Sequence, residues 1–322
     1  MKVLFIRSSN GGKEPISDRQ ANSLIEKGIE LNVFPIKGKG FFGYIGNIIP
    51  LRGKIDRESP DIVHAHYGLS GILALLANHK KKLIVSFMGD DILGSNDSNG
   101  SITLLSKWMA RINIFLANKF YDYSIVKTEE MLDSINCTNV ARIPNGVDLE
   151  VYKVIDRQAS RGYFNIDNET KLVLFVSNPS RPEKNYKLAE EAIKQLKEED
   201  IMLLCLYEKN QEELVNYYNA ADLLILTSFH EGSPNVVKEA MACNCPIVST
   251  DVGDVKWLFG ETEGYYITSF DPSDVAKKVK LALEFRKKQL LTKGRERIIE
   301  LGLDSETISE KIIEVYNKVL NY

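Results

Sequence analysis

Two carboxylates, Glu231 and Glu239, are separated by seven residues in the stretch Ser228-Phe229-His230-Glu231-Gly232-Ser233-Pro234-Asn235-Val236-Val237-Lys238-Glu239. The stretch follows an apolar run, Leu223–Leu226. Ser233 is a good N-cap and Pro234 a good first helical residue, so the pattern predicts that a helix opens here. Such an opening presents N–H groups without intrahelical acceptors and the positive end of a dipole. That suits a diphosphate or sugar hydroxyls. Glu231 falls in the turn before the helix. Glu239 falls just over a turn into it, on the face of Asn235, and its side chain leans back toward the opening. An ionised carboxylate only accepts hydrogen bonds, and a vicinal diol offers two donors. The pair therefore suits one sugar ring and one ribose, although either acid taken singly also reads as a solvated helix-end residue.

A second stretch, Ser177-Asn178-Pro179-Ser180-Arg181-Pro182-Glu183-Lys184-Asn185, follows the run Leu172–Val176. Arg181 offers a bidentate fork to phosphate and Lys184 a point charge; each could equally hold a surface ion pair. After the first apolar run comes Ser8-Ser9-Asn10-Gly11-Gly12, whose tandem glycines let N–H groups turn toward an anion or simply make a strand-to-helix turn. Gly38-Lys39-Gly40-Phe41-Phe42-Gly43 is a literal G-x-G-x-x-G. It follows the second strand rather than the first, and its phenylalanines stand where a pyrophosphate needs close backbone approach, which argues against a dinucleotide site. With Lys37, Lys39, Arg52, Lys54 and Arg57 the segment 37–57 reads instead as a flexible basic and aromatic loop able to meet an acidic or membrane-bound acceptor. His64 and His66 alternate on a strand, where packed or hydrogen-bonded rings are the expected role. No Asp-x-Asp occurs, and the four cysteines show no zinc spacing, so no metal site is expected.

Short apolar runs alternate with helical stretches along the chain. Strands are predicted at Val3–Ile6, Leu31–Ile36, Ile62–Ala65, Leu83–Phe87 and Tyr123–Val126, with helices near 17–28, 68–80, 102–119 and 129–135. The pattern restarts with strands at Leu172–Val176, Met202–Leu206, Leu223–Leu226, Pro246–Ser249 and Tyr265–Ile267. Helices near 186–198, 211–219, 234–242, 273–300 and 305–320 accompany them. Alternating β and α with Val/Ile/Leu-rich strands means parallel sheets covered on both faces. Two such series make two doubly wound domains, 1–150 and 151–304. Ligands in such sheets bind beyond the C-terminal strand ends, which directs attention to a cleft between the two domains. The chain of 322 residues, 44% hydrophobic and 26% charged, is long enough for both. Its net charge of −3 argues against nucleic acid as the main partner. No run is long and apolar enough to span a membrane. The helix over 106–120 places Trp108, Ile112, Phe115 and Leu116 at helical spacing beside Lys107, Arg111 and Lys119. A stripe packed on the sheet is the expected role.

These stretches together resemble the retaining glycosyltransferases of family 4, which have the GT-B fold: two Rossmann-like doubly wound domains facing an interdomain cleft. Glu231 and Glu239 are similar to the family's E-x7-E signature. Ala221-Asp222-Leu223, Thr227-Ser228, Glu239-Ala240-Met241-Ala242 and Pro246-Ile247-Val248 match around it. Asp61-Ile62-Val63-His64-Ala65-His66 and Asn145-Gly146-Val147-Asp148 match further stretches. The resemblance implies that Glu231 binds the donor sugar and Glu239 the nucleotide ribose. It places the sugar on the backbone of Ser233, Pro234 and Asn235, and the phosphate at Val236 and Val237. Lys184 and Arg181 would neutralise the diphosphate, with Arg181 offset by about two positions from the family's spacing. The base would pack near Tyr207 and Glu208. Gly11 and Gly12 would serve the donor, and His66 and Asp90 the acceptor or sugar side. Met88 stands where the family often has histidine. The helix 305–322 is expected to pack back on the first domain.

Transfer with retained configuration, without metal or other cofactor, follows from the resemblance. The donor would be a nucleotide-diphosphate sugar, by default a UDP-sugar. The acceptor would be a glycan or lipid-linked glycan of bacterial surface polysaccharide biosynthesis, reached from the cytoplasm with possible peripheral membrane contact. Two rival readings use the same fold: a nucleotide-sugar 2-epimerase, and a non-catalytic nucleotide-sugar-binding subunit.

Overall fold

A computed structural model of the chain describes residues 1–9, 16–38, 40–78, 80–95, 97, 101–288 and 291–321. The chain divides into two compact units. Met1–Ser95, Ile102–Gly146 and Ser305–Tyr322 form the first, and Val147–Asp304 forms the body of the second. In the first unit the order is β1 (Lys2–Ser8), α1 (Ile16–Glu26), β2 (Glu30–Ile36), α2 (Gly40–Ile45), α3 (Ile48–Glu58), β3 (Ile62–His66) and α4 (Gly68–Ala77). It continues with β4 (Lys82–Ser86), α5 (Asp90–Leu93), α6 (Leu104–Lys119), β5 (Tyr123–Val126), α7 (Glu129–Asp133) and β6 (Val140–Arg142). The six strands pair in parallel in the order β2-β1-β3-β4-β5-β6. Val3, Leu4, Phe5 and Ile6 are all buried, as a strand covered on both faces requires.

The second unit runs α8 (Arg157–Tyr163), β7 (Lys171–Phe175), a 3₁₀ turn Pro182–Lys184, α9 (Tyr186–Leu196), β8 (Ile201–Cys205), α10 (Gln211–Ala220) and β9 (Leu223–Leu226). Then come α11 (Asn235–Ala242), β10 (Ile247–Thr250), α12 (Val255–Phe259), β11 (Tyr265–Thr268), α13 (Pro272–Lys287) and α14 (Gly294–Glu300). Its five strands pair in parallel in the order β11-β10-β9-β7-β8. Asp222, just before β9, accepts from Arg157 at 2.5 Å, from Arg161 at 2.8 Å and from the Leu172 N–H at 2.7 Å, and so ties α8 to the sheet. α15 (Ser305–Leu320) returns the chain to the first unit. Lys27 of α1 lies 2.6 and 2.8 Å from Glu306 and Glu310 there, and Tyr316 reaches His64 at 2.7 Å.

Three sequence expectations need correction. The segment 37–57 is no flexible loop but carries α2 and α3. Leu51 and Ile55, a turn apart, are buried, and Pro50 sits in the first turn, where no intrahelical N–H bond is lost. Asn47 braces the entry by donating to the carbonyls of Lys37 at 2.9 Å and Gly43 at 2.6 Å. The single helix expected over 273–300 is two, α13 and α14. Thr292 bonds Tyr265 at 2.9 Å, and a Cβ on Gly294 would lie 1.8 Å from the Tyr265 hydroxyl, so the chain turns there against β11. Finally, α11 begins one residue later than expected: Pro234, at φ −69° and ψ 116°, is the N-cap, and Ser233 does not cap it.

Candidate functional site

β9 ends at Leu226, and the buried pair Thr227 and Ser228 carries the chain into the turn before α11. Three bonds from other segments fix that turn. Thr227 donates to the Asn185 carbonyl at 2.9 Å, the Phe229 N–H donates to the Glu183 carbonyl at 2.9 Å, and Thr250 donates to the Ser228 carbonyl at 2.8 Å. The 3₁₀ turn holding Lys184 is thereby stitched to the turn holding Glu231. Lys184 Nζ lies 2.6 Å from Glu231 Oε1, and Ser228 Oγ donates to the same oxygen at 2.7 Å. Both charged side chains are largely buried, 16% and 13% exposed.

α11 is buried from Val237 to Ala242, including both of its charged residues. Glu239 is therefore not a solvated helix-end acid: it is 4% exposed and accepts from the Tyr218 hydroxyl at 3.0 Å. Lys238 is fully buried and donates to Ser233 Oγ at 3.1 Å. Burial pushes its ammonium down to about 8, against the opposing pull of Asp254 and Glu239. The Asp254 N–H donates to the Gly232 carbonyl at 3.2 Å, and a Cβ on Gly253 would lie 1.9 Å from that same oxygen. Gly253 and Asp254 thus press on the Glu231–Ser233 turn from one side while Lys238 holds it from the other. Asn235 and Val236, partly exposed, sit in the first turn of α11, where N–H groups have no intrahelical acceptor.

Arg181 takes a different place. It is exposed and pairs with Glu183 at 2.6 Å, and it lines a cavity of about 300 Å³ with Asn178, Leu206, Tyr207 and Glu208. The structure therefore brings Lys184, Glu231, Ser233 and the first turn of α11 together, and groups Arg181 with Tyr207 and Glu208. Lys238, Tyr218 and Gly253 escaped the sequence reading. A lysine beside Glu239, with Val236, Val237 and Ala240–Ala242 apolar around the two, was the one available signal. The contacts of Tyr218 and Gly253 come from separate segments and leave no local mark.

In the first unit, His66 ends β3 and is 4% exposed. Its ring stacks on His64 at 4.5 Å and meets Phe5 at a tilt at 4.4 Å, and burial, with Lys127 and Arg7 nearby, pushes it down to about 3. Asp90 is exposed at the start of α5. Its neighbour Asp91 is the buried one, accepting the N–H groups of Gly68, Met88 and Gly89 at 2.9, 2.9 and 3.0 Å. Burial raises Asp91 to about 6 even against those bonds. Gly11 and Gly12 lie outside the described residues.

Residues 3–151 match the family described as Glycosyltransferase Family 4, and residues 202–300 match Glycosyl transferases group 1. The chain belongs to the family 4 glycosyltransferases. Among its relatives, N-acetyl-alpha-D-glucosaminyl L-malate synthase of Bacillus anthracis is 24% identical over 82% of this chain and 75% of its own. TuaC of Bacillus subtilis, named for teichuronic acid biosynthesis, is 24% identical over 63% of this chain. The chain spans 56% of TuaC, somewhat over half its length. Sucrose-phosphate synthase of Thermosynechococcus elongatus superposes with a TM-score of 0.81 at 15% identity, covering 100% of this chain and 99% of that one. Anabaena HepE, solved with UDP and glucose, superposes with a TM-score of 0.73 at 19% identity, covering 98% and 99%. The two parallel-sheet units have the GT-B fold.

Proposed function

We propose that the chain is a retaining, metal-independent hexosyltransferase that moves a sugar from a nucleotide-diphosphate sugar to a glycan or lipid-linked acceptor. The observation that carries this reading is the joining of Lys184 and Glu231 at the turn that opens α11, with Glu239 buried inside that helix. A cation, a helix opening and two carboxylates are the groups that a sugar diphosphate engages. In this scheme the bond between the anomeric carbon and the diphosphate oxygen breaks. The acceptor oxygen bonds to that carbon on the same face, and its proton passes to the departing phosphate. No protein nucleophile is needed. Lys184 and the N–H groups of Asn235, Val236 and Val237 take up the charge that develops on the diphosphate, and Glu231 orients the transferred sugar. The cavity by Tyr207 and Glu208 is of the size that suits a base, with Arg181 at its edge toward the phosphates. A UDP-sugar is favoured because HepE is solved with UDP-glucose, and a surface polysaccharide because TuaC is named for one.

The test is mass spectrometry of reactions with UDP-glucose, UDP-N-acetylglucosamine and GDP-mannose, each with a panel of lipid-linked acceptors. The expected outcome is free nucleotide diphosphate with a glycosylated acceptor, undiminished by EDTA. An isomerised sugar without transfer would make the protein an epimerase. Loss of turnover in EDTA with rescue by Mn²⁺ would overturn the metal-independent scheme.

A further inference from the structure

α6 carries apolar side chains on both its faces. At 100° per residue, its buried residues Ala110, Asn113 and Ala117 share one face. That face is small and polar because it fits a tight contact: Asn113 donates to the Asp91 carbonyl at 2.8 Å, and a Cβ on Gly68 would lie 2.3 Å from its amide. Ile114 and Leu116 pack on the core beside it, yet the opposite face carries large apolar side chains too. Leu104, Trp108 and Phe115 fall within 40° of one another on the helix and are 85%, 60% and 56% exposed, with Leu105 beside them at 73%. An ordinary surface helix keeps that outer face polar. The same exposed side carries Lys107, Arg111 and Lys119, and α6 contains no acidic residue.

We propose that this face of α6 docks on the headgroup region of an anionic lipid bilayer. Charge selects the occupant. In a twofold dimer the same patch meets itself, so α6 against α6 would set Lys107 and Arg111 against cations with no acid on the helix to receive them. An anionic bilayer takes both features at once. Tryptophan and leucine enter the acyl boundary while lysine and arginine stay with the phosphates. No described helix is long and apolar enough to cross a membrane, so α6 lies on the surface. Its first turn, with Leu104 and Leu105, comes after α5, whose opening residues Asp90 and Asp91 lie just beyond the C-terminal end of β4. Docking would bring that end of the sheet to the lipid surface. The purpose of the contact rests on the reading of a lipid-linked acceptor.

The experiment uses the full chain carrying Trp257→Phe, which leaves Trp108 as its one tryptophan. Vesicles of phosphatidylcholine, with and without phosphatidylglycerol, are added at low and high salt. The expected result is a blue shift of Trp108 emission and quenching by brominated lipid on the phosphatidylglycerol vesicles, weakened by salt. In vesicle sedimentation, Lys107→Glu with Arg111→Glu, both at exposed positions, should weaken binding at least tenfold. Leu104→Ser with Phe115→Ser should do the same, with Tm and nucleotide binding unchanged. No shift at low salt, equal binding to neutral vesicles, or full binding by the double glutamate variant would overturn the proposal. So would a dimer in sedimentation velocity that Leu104→Ser with Phe115→Ser dissolves. The vesicle assay contains neither donor nor acceptor, so binding there together with no product in the mass-spectrometric transfer assay would count against the proposed function alone.

Discussion

Lys184 Nζ stands 2.6 Å from Glu231 Oε1, so a diphosphate that recruits this ammonium competes with a carboxylate for it. The competition separates the roles of the two signature acids more sharply than their spacing does. Glu231→Gln keeps the shape of the turn and the Ser228 bond but releases Lys184. Affinity for free nucleoside diphosphate should then hold or rise, while turnover with the sugar donor falls. Glu239 lies inside α11, and if it holds the ribose, as proposed, Glu239→Ala should weaken nucleotide and intact donor alike. A hydrogen bond to a charged group contributes about 1.5–3 kcal/mol, so that loss should reach tenfold or more. Lys184→Ala should cost on the order of 10²–10³ in kcat, the usual loss for a group that stabilises a developing anion. Calorimetry with nucleotide alone, beside initial rates with donor, reads all three. Equal nucleotide losses in Glu231→Gln and Glu239→Ala would refute the division of labour.

The site depends on a loop that approaches from outside the signature. The loop between β10 and α12 meets the Glu231–Ser233 turn where Gly253, at φ +57°, leaves no room for a Cβ. Gly253→Ala would force the Gly232 carbonyl to move and strain the loop by about 1–3 kcal/mol. The expected outcome is a fall of at least tenfold in kcat/KM for the donor together with a lower Tm. Activity close to wild type would mean that the turn tolerates displacement. None of this was legible in the sequence, because Gly253 and Gly232 are far apart along the chain and only the fold brings them together. Glu231 and Glu239 were legible because their role follows from one local pattern, a turn opening into a helix. Ten of the strands were legible for a related reason: runs such as Val3–Ile6 and Leu223–Leu226 are buried on both faces and so are continuously apolar. β6, three residues long and only partly buried, offers no such run. α3 was hidden by Pro50 and Gly53, which read as loop formers although Pro50 falls in a first turn and Gly53 on an open face. α6 misled in the opposite sense: of its regular apolar stripe, Leu116 packs on the core but Trp108 and Phe115 face outward.

At the scale of the molecule, the chain leaves the first unit at Gly146 and returns to it with α15, and a histidine pair holds that return. His64 bonds the Tyr316 hydroxyl at 2.7 Å through Nδ1 and the Ser86 hydroxyl at 2.8 Å through Nε2, while His66 stacks on it. Both rings are buried, and burial holds both below the ordinary histidine range, His66 at about 3. Below pH 6.5 the unfolded chain therefore takes up protons that the folded chain refuses, and stability falls as pH drops through that value. His66 alone should account for about 2 kcal/mol at pH 5. Asp91 works the other way. Raised to about 6, it holds a proton in the folded chain that the unfolded chain releases down to its ordinary range near 3.8, and so it adds stability as pH falls from 6. One such carboxyl offsets only part of what two histidines remove. The melting temperature should consequently drop by several degrees between pH 7 and pH 5. His66→Gln, which cannot titrate, should show a visibly shallower drop whatever its stability at pH 7, since the slope and not the level reports the proton uptake. A flat profile in the wild type, or an unchanged slope in His66→Gln, would mean that the folded chain does not exclude protons from these rings.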